Sequence, residues 1–110
     1  MTPQDEIRLR HMLDAAREAC SFAAGHTRPD LDTHRMLVLA LLKSIEIIGE
    51  AAARVTPDTR VAYPSIPWAA IVGMRNRLVH GYFDVDLDIV WATVDRELPA
   101  LIRQLESVLR

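Results

Sequence analysis

The sequence lacks the features that define several classes of protein. Its 110 residues include a single cysteine, Cys20, which excludes an internal disulfide. No segment with a basic start, an apolar middle and a small-residue cleavage site precedes the first amphipathic stretch, so we expect no secretion. The longest nearly apolar run, 36–48, is interrupted by Lys43 and Glu46 and is shorter than the roughly 20 residues of a membrane-spanning helix. We therefore expect a soluble, cytoplasmic protein.

Motifs for nucleotide hydrolysis and metal binding are also missing from the sequence. It has no glycine-rich phosphate loop, so hydrolysis or transfer of nucleotides by this chain itself is not expected. His11, His26 and His34 lie in different segments and lack the spacing of helical metal ligands. The alternating acids of 84–88 lack the glycine and the glutamate of a calcium loop, and capping of a helix explains them better. We expect neither a metal nor a cofactor.

Length and composition predict one domain over residues 1–110. Half of the residues are apolar, enough for one modest core without a disulfide or a metal. The formal net charge of -2 argues against a protein that coats nucleic acid with its whole surface. Residues 54–82 nevertheless contain four arginines and one aspartate, a balance of +3. We expect any anion site in this stretch, although a chance grouping of surface arginines would give the same balance.

Hydrophobic periodicity predicts an all-α protein, an antiparallel bundle of four or five helices. No alternating run of β-branched residues is present, so no strand is predicted. The linker 56–67 is predicted as a loop with one helical turn after Pro57. Pro99 lies inside the last apolar pattern, so we expect a bend or a break there. The predicted helices span about 3–24, 32–55, 67–80 and 87–109.

The second predicted helix carries more apolar surface than packing on one side requires. Either it is central in the bundle, or it also contacts a partner chain. Gly49 would let another helix approach closely. Asp32 or Thr33 is expected to cap this helix, and Ser65 to cap the third. The residues that make up this additional apolar surface are Leu37, Leu39, Ile47 and Ala51.

One segment, 74–82, brings together an arginine, an amide, an imidazole and a phenol: Arg75, Asn76, His80 and Tyr82. If a helix runs to His80, then Asn76 and His80 lie on one face, where the amide could fix the tautomer of the ring. Arg75 would lie about one turn away, near enough to share an anion with the imidazole. We expect the glycine at position 81 to end the helix and bring Tyr82 back to the same opening.

This set matches what metal-free RNA cleavage requires. The reaction needs a group that titrates near neutrality to move the 2′-hydroxyl proton, and a permanent cation to stabilise the phosphorane. His80 and Arg75 could fill these roles. The alternative is structural: Arg75 and Arg77 would complement the negative end of the third helix, His80 would be a helix-end residue, and Tyr82 would pack on the core.

The same segment resembles the Arg-x4-His-x-Tyr motif of the HepT-like toxins in the HEPN superfamily, the partners of minimal nucleotidyltransferase (MNT) antitoxins. Other blocks resemble the family in the same order, so that the resemblance covers nearly the full chain. They are Ile-Ile-Gly-Glu-Ala-Ala at 47–52, Tyr-Pro-Ser-Ile-Pro-Trp at 63–68, Gly-Met-Arg-Asn at 73–76, Val-Trp at 90–91 and Leu-Pro at 98–99.

The resemblance implies a homodimeric, metal-independent endoribonuclease that cleaves RNA through the 2′-hydroxyl, with two copies of the motif facing a shared cleft. Arg75, Asn76 and His80 would be its catalytic residues. Tyr82 would be the residue that the nucleotidyltransferase antitoxin adenylylates in some members, and Arg77 a further candidate contact to RNA. Such a protein would be the toxin of a type II or type VII-like toxin–antitoxin pair.

Two other interpretations remain open at this point. The chain could be a non-catalytic nucleotide- or substrate-binding subunit of a nucleotidyltransferase complex, or a structural helical adaptor. The role of two acids is open as well. Glu46 and Glu50 could contact the motif of either chain, or they could be solvated or paired with a nearby arginine.

Overall fold

The computed structural model of the protein describes residues 1–80 and 84–110, and within these ranges the chain is built from helices. This confirms the all-α prediction. A 3-10 turn, Arg28–Asp32, precedes the second helix, and a π-helical segment, Thr93–Glu97, precedes the last. No helix of the described residues has the length and apolar character needed to cross a membrane. The helices are α1 Pro3–Ala23, α2 Arg35–Ala53, α3 Pro57–Ala62, α4 Trp68–Val72, α5 Met74–Leu78, α6 Leu87–Ala92 and α7 Leu98–Val108.

The first helix, α1, follows its predicted bounds closely. The Thr2 side chain accepts a hydrogen bond from the Asp5 backbone at 3.0 Å and so caps the first turn. After the last turn, Gly25 adopts a positive φ of 79°, which a side chain would disfavour. The inward face of α1 is buried and packs against α2 and α7; it comprises Leu9, Met12, Leu13, Ala16 and Ala19.

The second helix begins later than predicted and has a different cap. Asp32 ends the 3-10 turn and accepts a hydrogen bond from Arg28, so it is not available to α2. The cap is His34, whose Nδ1 accepts a hydrogen bond from the Leu37 backbone at 3.2 Å. The prediction of Asp32 or Thr33 as cap was therefore wrong. Asp32 is the last residue of the 3-10 turn and Thr33 follows it directly, so neither lies at the start of α2.

Helix α2 occupies the centre of the bundle and contacts α1, α4, α5 and α6. Helix α4 passes close to Gly49, as expected, and an added Cβ would lie 3.4 Å from the carbonyl oxygen of Ile71 and 3.6 Å from that of Val72. These distances are at the limit of ordinary van der Waals contact, so the approach is close but does not itself require a glycine. The central position accounts for Leu37 and Ala51, which are buried. It does not account for Leu39, which is 48% exposed.

The start of α1 is tied to the start of α3 by a buried carboxylate, Asp5. It is 1% exposed and accepts hydrogen bonds from the Thr56 hydroxyl at 2.5 Å, the Thr59 hydroxyl at 2.5 Å and the Thr56 backbone at 3.1 Å. These bonds, led by the one from the Thr56 side chain, lower the pKa of Asp5 despite its burial. Asp5 thus anchors Thr56, the residue before α3, and the helical turn predicted at Pro57 is present.

The third predicted helix, 67–80, is two short helices. Gly73 separates α4 from α5, and α5 ends at Leu78. No side chain caps α4, so the prediction for Ser65 was wrong. Beyond Leu78 the chain is extended, and Val79 forms an isolated antiparallel bridge with Val85. This bridge ends the helix early because its hydrogen bonds replace helical ones, and a β-branched valine favours the extended backbone.

The fourth predicted helix is interrupted just before Pro99, as expected for a residue without a backbone N–H. Helix α6 ends at Ala92, the π-helical segment follows, and α7 begins at Leu98. The wider π turn accommodates the carbonyl that Pro99 leaves without its helical partner. The Asp86 side chain caps α6 by accepting a hydrogen bond from the Ile89 backbone at 3.1 Å, which confirms the capping role of these acids.

Candidate active site

The helices α2, α4 and α5 enclose a groove of about 370 Å³ that contains two of the predicted site residues, Arg75 and Asn76. We call it the Arg75 groove. Its α2 wall carries residues at positions 46, 49, 50 and 53, the spacing of one helical face. Because two of these are Gly49 and Ala53, the groove stays open beside the backbone. The complete lining is Glu46, Gly49, Glu50, Ala53, Val72, Arg75 and Asn76.

Arg75 is exposed and makes neither a hydrogen bond nor an ion pair with any residue that the structure describes. Its position follows from α5, which turns Met74 and Leu78 into the core and leaves the three residues between them outside. A guanidinium with five donors and no internal partner is suited to bind a phosphate. The catalytic role of Arg75 stays a prediction, and its exposed guanidinium is available for it.

Arg77 differs from Arg75 although only one residue separates them. Its Nη1 lies 3.6 Å from Glu97 Oε1, and its Nη2 donates a long hydrogen bond of 3.5 Å to the carbonyl of Ala70. These contacts join α5 to the π-helical segment and to the middle of α4. A contact of Arg77 with RNA stays a prediction, although its guanidinium already has these two partners among the described residues.

The acids Glu46 and Glu50 line the groove from α2 together with Arg75. Glu46 lies 3.9 Å from the ammonium of Lys43, one turn away on the same helix, and Glu50 is exposed. Neither forms a hydrogen bond or an ion pair with Arg75. Within the described residues Glu46 is paired with a lysine and Glu50 is exposed to solvent, and a contact of either acid with the motif of a second chain stays a prediction.

His80 is exposed and lies beyond the end of α5, in the extended segment. Its backbone N–H donates to the carbonyl of Asp84 at 2.6 Å, next to the bridge between Val79 and Val85. The prediction that His80 shares a helical face with Asn76 was wrong, because the helix ends two residues earlier. No hydrogen bond joins the Asn76 amide to the His80 ring. The backbone of His80 is held by the bridge instead of by a helical turn.

Tyr82, together with positions 81 and 83, lies outside the described residues. The expectation that Tyr82 returns to the opening beside Arg75 and His80 stays a prediction. The described residues on either side, His80 and Asp84, are joined by the hydrogen bond of 2.6 Å between their backbones.

Within residues 1–80 and 84–110, no group of three or more histidine, cysteine or carboxylate side chains could hold a metal ion. The rings of His26 and His34 meet edge to face with centroids 5.5 Å apart. In each ring, however, the Nδ1 atom already has a polar partner within the protein. His26 Nδ1 lies 3.2 Å from Asp30 Oδ2, and His34 Nδ1 caps α2.

Sequence reasoning did not identify Val72 and Ala53 as part of the groove. Val72, the last residue of α4, is 39% exposed and lines the groove beside Arg75. The i, i+3, i+4, i+7 spacing of 46, 49, 50 and 53 was the available signal for the α2 wall.

The described chain is thus a small all-α bundle that presents an arginine and an asparagine in an open groove and a histidine on an adjoining extended segment. The sequence profile described as Ribonuclease HepT-like matches residues 12–108. The chain therefore belongs to the HepT-like ribonucleases of the HEPN superfamily, a family of RNA-cleaving enzymes. This confirms the resemblance drawn from the motif and its flanking blocks.

Individual relatives agree with this assignment. The chain is 35% identical over 110 residues to "Putative RNase MJ0125" of Methanocaldococcus jannaschii, covering 98% of this chain and 95% of the relative. It is 33% identical over 102 residues to "Putative RNase TTE0752" of Caldanaerobacter subterraneus subsp. tengcongensis, covering 93% and 91%. It is 38% identical over 69 residues to "Probable ribonuclease HepT" of Thermococcus cleftensis, covering 63% of each. No solved structure matches the chain.

Proposed function

We propose that residues 1–110 form one HepT-like domain that acts in the cytoplasm as a metal-independent RNA endonuclease, the toxin of a toxin–antitoxin pair. The observation that supports this proposal most directly is that the side chain of Arg75 is exposed and available to a ligand. It is an exposed guanidinium without a partner among the described residues, in a groove beside Asn76, on the segment that leads to an exposed His80. Membership of a ribonuclease family supplies the substrate class.

The proposed reaction uses the 2′-hydroxyl of the RNA as the nucleophile. The imidazole of His80 accepts its proton while the oxygen attacks the adjacent phosphorus, and the bond to the 5′-oxygen breaks. The departing oxygen takes up a proton, so the products are a 2′,3′-cyclic phosphate and a 5′-hydroxyl. Arg75 stabilises the charge that builds on the phosphorane, and Asn76 donates its amide to a phosphate oxygen. No metal is required in this scheme.

A homodimer would provide two copies of this arrangement. Apolar side chains on α2 support it, since Met36 is 78% exposed and Leu39 is 48% exposed one turn later. Large exposed apolar groups on a central helix are typical of a surface that another chain covers. The proposed dimer also offers a second imidazole, from the other copy, to protonate the leaving oxygen.

The proposed antitoxin is an MNT-type nucleotidyltransferase that silences the enzyme, with adenylylation of Tyr82 as one route. Tyr82 follows His80 by two residues. An adenylate attached there would add a bulky anion close to the proposed cations and would compete with RNA phosphate for them. The class of the pair would be type II if the antitoxin acts by binding, and type VII-like if it acts by modification.

Growth after induced expression tests this function directly. Wild type and His80→Ala are each expressed with and without the neighbouring gene, and the extracted RNA is examined for cyclic-phosphate ends. We expect arrest and fragmentation with the wild type alone, relieved by the neighbour. Intact RNA and normal growth with a folded, unmodified wild type would contradict the proposal.

One observation favours a second candidate, a non-catalytic nucleotide-binding subunit. No hydrogen bond to Asn76 orients the His80 ring, which a preorganised base would be expected to have. In that case the purified protein would leave RNA intact and would bind ATP or AMP in the Arg75 groove. Isothermal titration of wild type and Arg75→Ala with AMP separates the two functions.

A further inference from the structure

A second groove, of about 190 Å³, lies between α1 and α2. We call it the Arg54 groove. Arg8 and His11 reach it from α1, three residues apart on one face of that helix. Arg54 reaches it from the end of α2, where the small side chain of Ala51 leaves space. The complete lining is Arg8, His11, Ile47, Glu50, Ala51 and Arg54.

The two arginines of this groove have no partner among the described residues. Neither Arg8 nor Arg54 forms a side-chain hydrogen bond or an ion pair there. Other arginines of the chain do, for example Arg10 with Glu6 at 3.1 Å and Arg17 with Glu106 at 3.1 Å. The two guanidinium groups face one groove whose lining holds a single carboxylate, that of Glu50, so positive charge is in excess there and a further anion would offset it.

A purely structural role explains Arg54 better than Arg8. Arg54 follows the last residue of α2, where a cation complements the negative end of the helix dipole. Arg8 lies in the second turn of α1, near the positive end of its helix, where the dipole does not favour a cation. The convergence of Arg8 on the same groove as Arg54 therefore calls for a ligand.

The two grooves flank the same ridge of α2, because Glu50 lines both of them. A helix with its side chains is about 10–12 Å across, so the two sets of cations are separated by about that distance. One strand of RNA that crosses α2 could present one phosphate to each groove, with an intervening nucleotide between them. The Glu50 carboxylate between them opposes a phosphate on either side.

We propose that the Arg54 groove is a phosphate-binding subsite, formed by Arg8, His11 and Arg54, for the backbone of the RNA strand whose scissile phosphate occupies the Arg75 groove. This inference rests on the proposed ribonuclease function. The subsite holds the strand without taking part in the chemistry, so it affects the binding of substrates that span α2 and not of those that occupy one groove.

Binding of a labelled single-stranded RNA oligonucleotide, followed by anisotropy at several salt concentrations, tests the subsite. The parent is full-length His80→Ala, which prevents cleavage. We expect Arg8→Ala/Arg54→Ala in this background to bind about tenfold more weakly. Loss of one or two phosphate contacts should reduce the slope of log K against log salt by about 0.7 to 1.4. Arg8→Lys/Arg54→Lys should restore most of the slope.

Two further variants keep this test specific. Arg103→Ala/Arg110→Ala removes the same charge from exposed positions that line neither groove, and it should change the affinity less than twofold. Glu50→Gln removes the opposing carboxylate and should strengthen binding severalfold. A structural role of Glu50 predicts no gain in RNA affinity, so an unchanged affinity in Glu50→Gln would count against the subsite.

Cleavage by the protein with His80 intact supplies the second readout. The Arg8→Ala/Arg54→Ala variant should cleave a dinucleotide as well as the wild type does, and should show a raised KM with unchanged kcat on a long oligonucleotide. If the double variant binds RNA like its His80→Ala parent and, with His80 intact, cleaves the long oligonucleotide like the wild type, the subsite is refuted while the ribonuclease stands. If the His80→Ala parent does not bind RNA and the wild type does not cleave it, both proposals fall together.

Discussion

The guanidinium of Arg77 lies 3.6 Å from the carboxylate of Glu97, whereas Arg75, two positions earlier, has no such partner among the described residues. Both arginines occupy α5 and both are exposed, so they differ mainly in their contacts. The structure separates them into a cation held by the protein and a cation open to a ligand. This pair provides a matched comparison for the proposed catalysis.

Arg75→Ala should reduce RNA cleavage at least a hundredfold, because it removes the cation that stabilises the phosphorane. Its melting temperature should stay close to that of the wild type, since no described contact is lost. Arg77→Ala is the matched control and should keep cleavage within a few-fold. An exposed ion pair of this kind contributes at most about 1 kcal/mol to stability. Equal losses of activity in both variants would contradict the assignment.

Asp5→Ala should lower the free energy of unfolding by about 2–4 kcal/mol, because three hydrogen bonds to a buried carboxylate are lost and two hydroxyls lose their acceptor. Urea denaturation followed by circular dichroism measures this change. Asp14→Ala removes an exposed acid of the same helix and should have an effect below about 0.5 kcal/mol. A loss of similar size in both variants would rule out the Asp5 network as an anchor.

The stabilisation by Asp5 should also decrease at low pH. Folding lowers the pKa of this carboxyl from its ordinary value of 3.8, chiefly through the Thr56 hydroxyl. The stabilisation is therefore fully present above that value and is lost as the pH falls through the lower folded pKa. The stability difference between wild type and Asp5→Asn, measured by urea denaturation, should be constant near neutrality and shrink below pH ~4. A constant difference down to pH ~2 would be inconsistent with this linkage.

His34→Ala should destabilise the protein by about 1 kcal/mol, because the first turn of α2 loses the acceptor for the Leu37 backbone N–H. His34→Asn should keep most of the stability, since asparagine is among the best capping residues. Thermal unfolding of the three proteins tests the cap. An asparagine variant as unstable as the alanine variant would show that His34 stabilises α2 by another contact.

Leu39→Glu should convert the proposed homodimer into a monomer, because a charge is placed within the exposed apolar surface of α2. Light scattering coupled to size exclusion gives the mass directly. Arg103→Glu, which changes an exposed residue on α7, is the control for added negative charge. A wild type that is already monomeric at micromolar concentration would overturn the proposed dimer itself.

The parts of the fold that the sequence predicts are those with strong local signals. The apolar face of α1, the proline at its start and the glycine after it all indicate the same helix, and the structure has that helix. Pro99 likewise predicts an interruption, because a proline has no backbone N–H to donate within a helix whatever its surroundings. The family motif located Arg75 and Asn76, which the structure places in one groove.

The parts that sequence did not predict depend on contacts between distant residues. The end of α5 is fixed by the pairing of Val79 with Val85. The hydrophobic periodicity of residues 67–80 does not indicate that pairing. The buried Asp5 resembles a solvated acid in a first turn until Thr56 and Thr59, more than fifty residues away, are placed against it. The pairing of Arg77 with Glu97 has the same origin.

The bridge has a consequence for how this segment can vary. His80 bonds to Asp84, Leu78 accepts from Asp86 at 2.7 Å, and Asp86 in turn caps α6. The same short pairing therefore holds the backbone of His80 and places the residue that caps α6. A substitution that weakens the pairing of Val79 with Val85 is expected to disturb both the position of His80 and the first turn of α6.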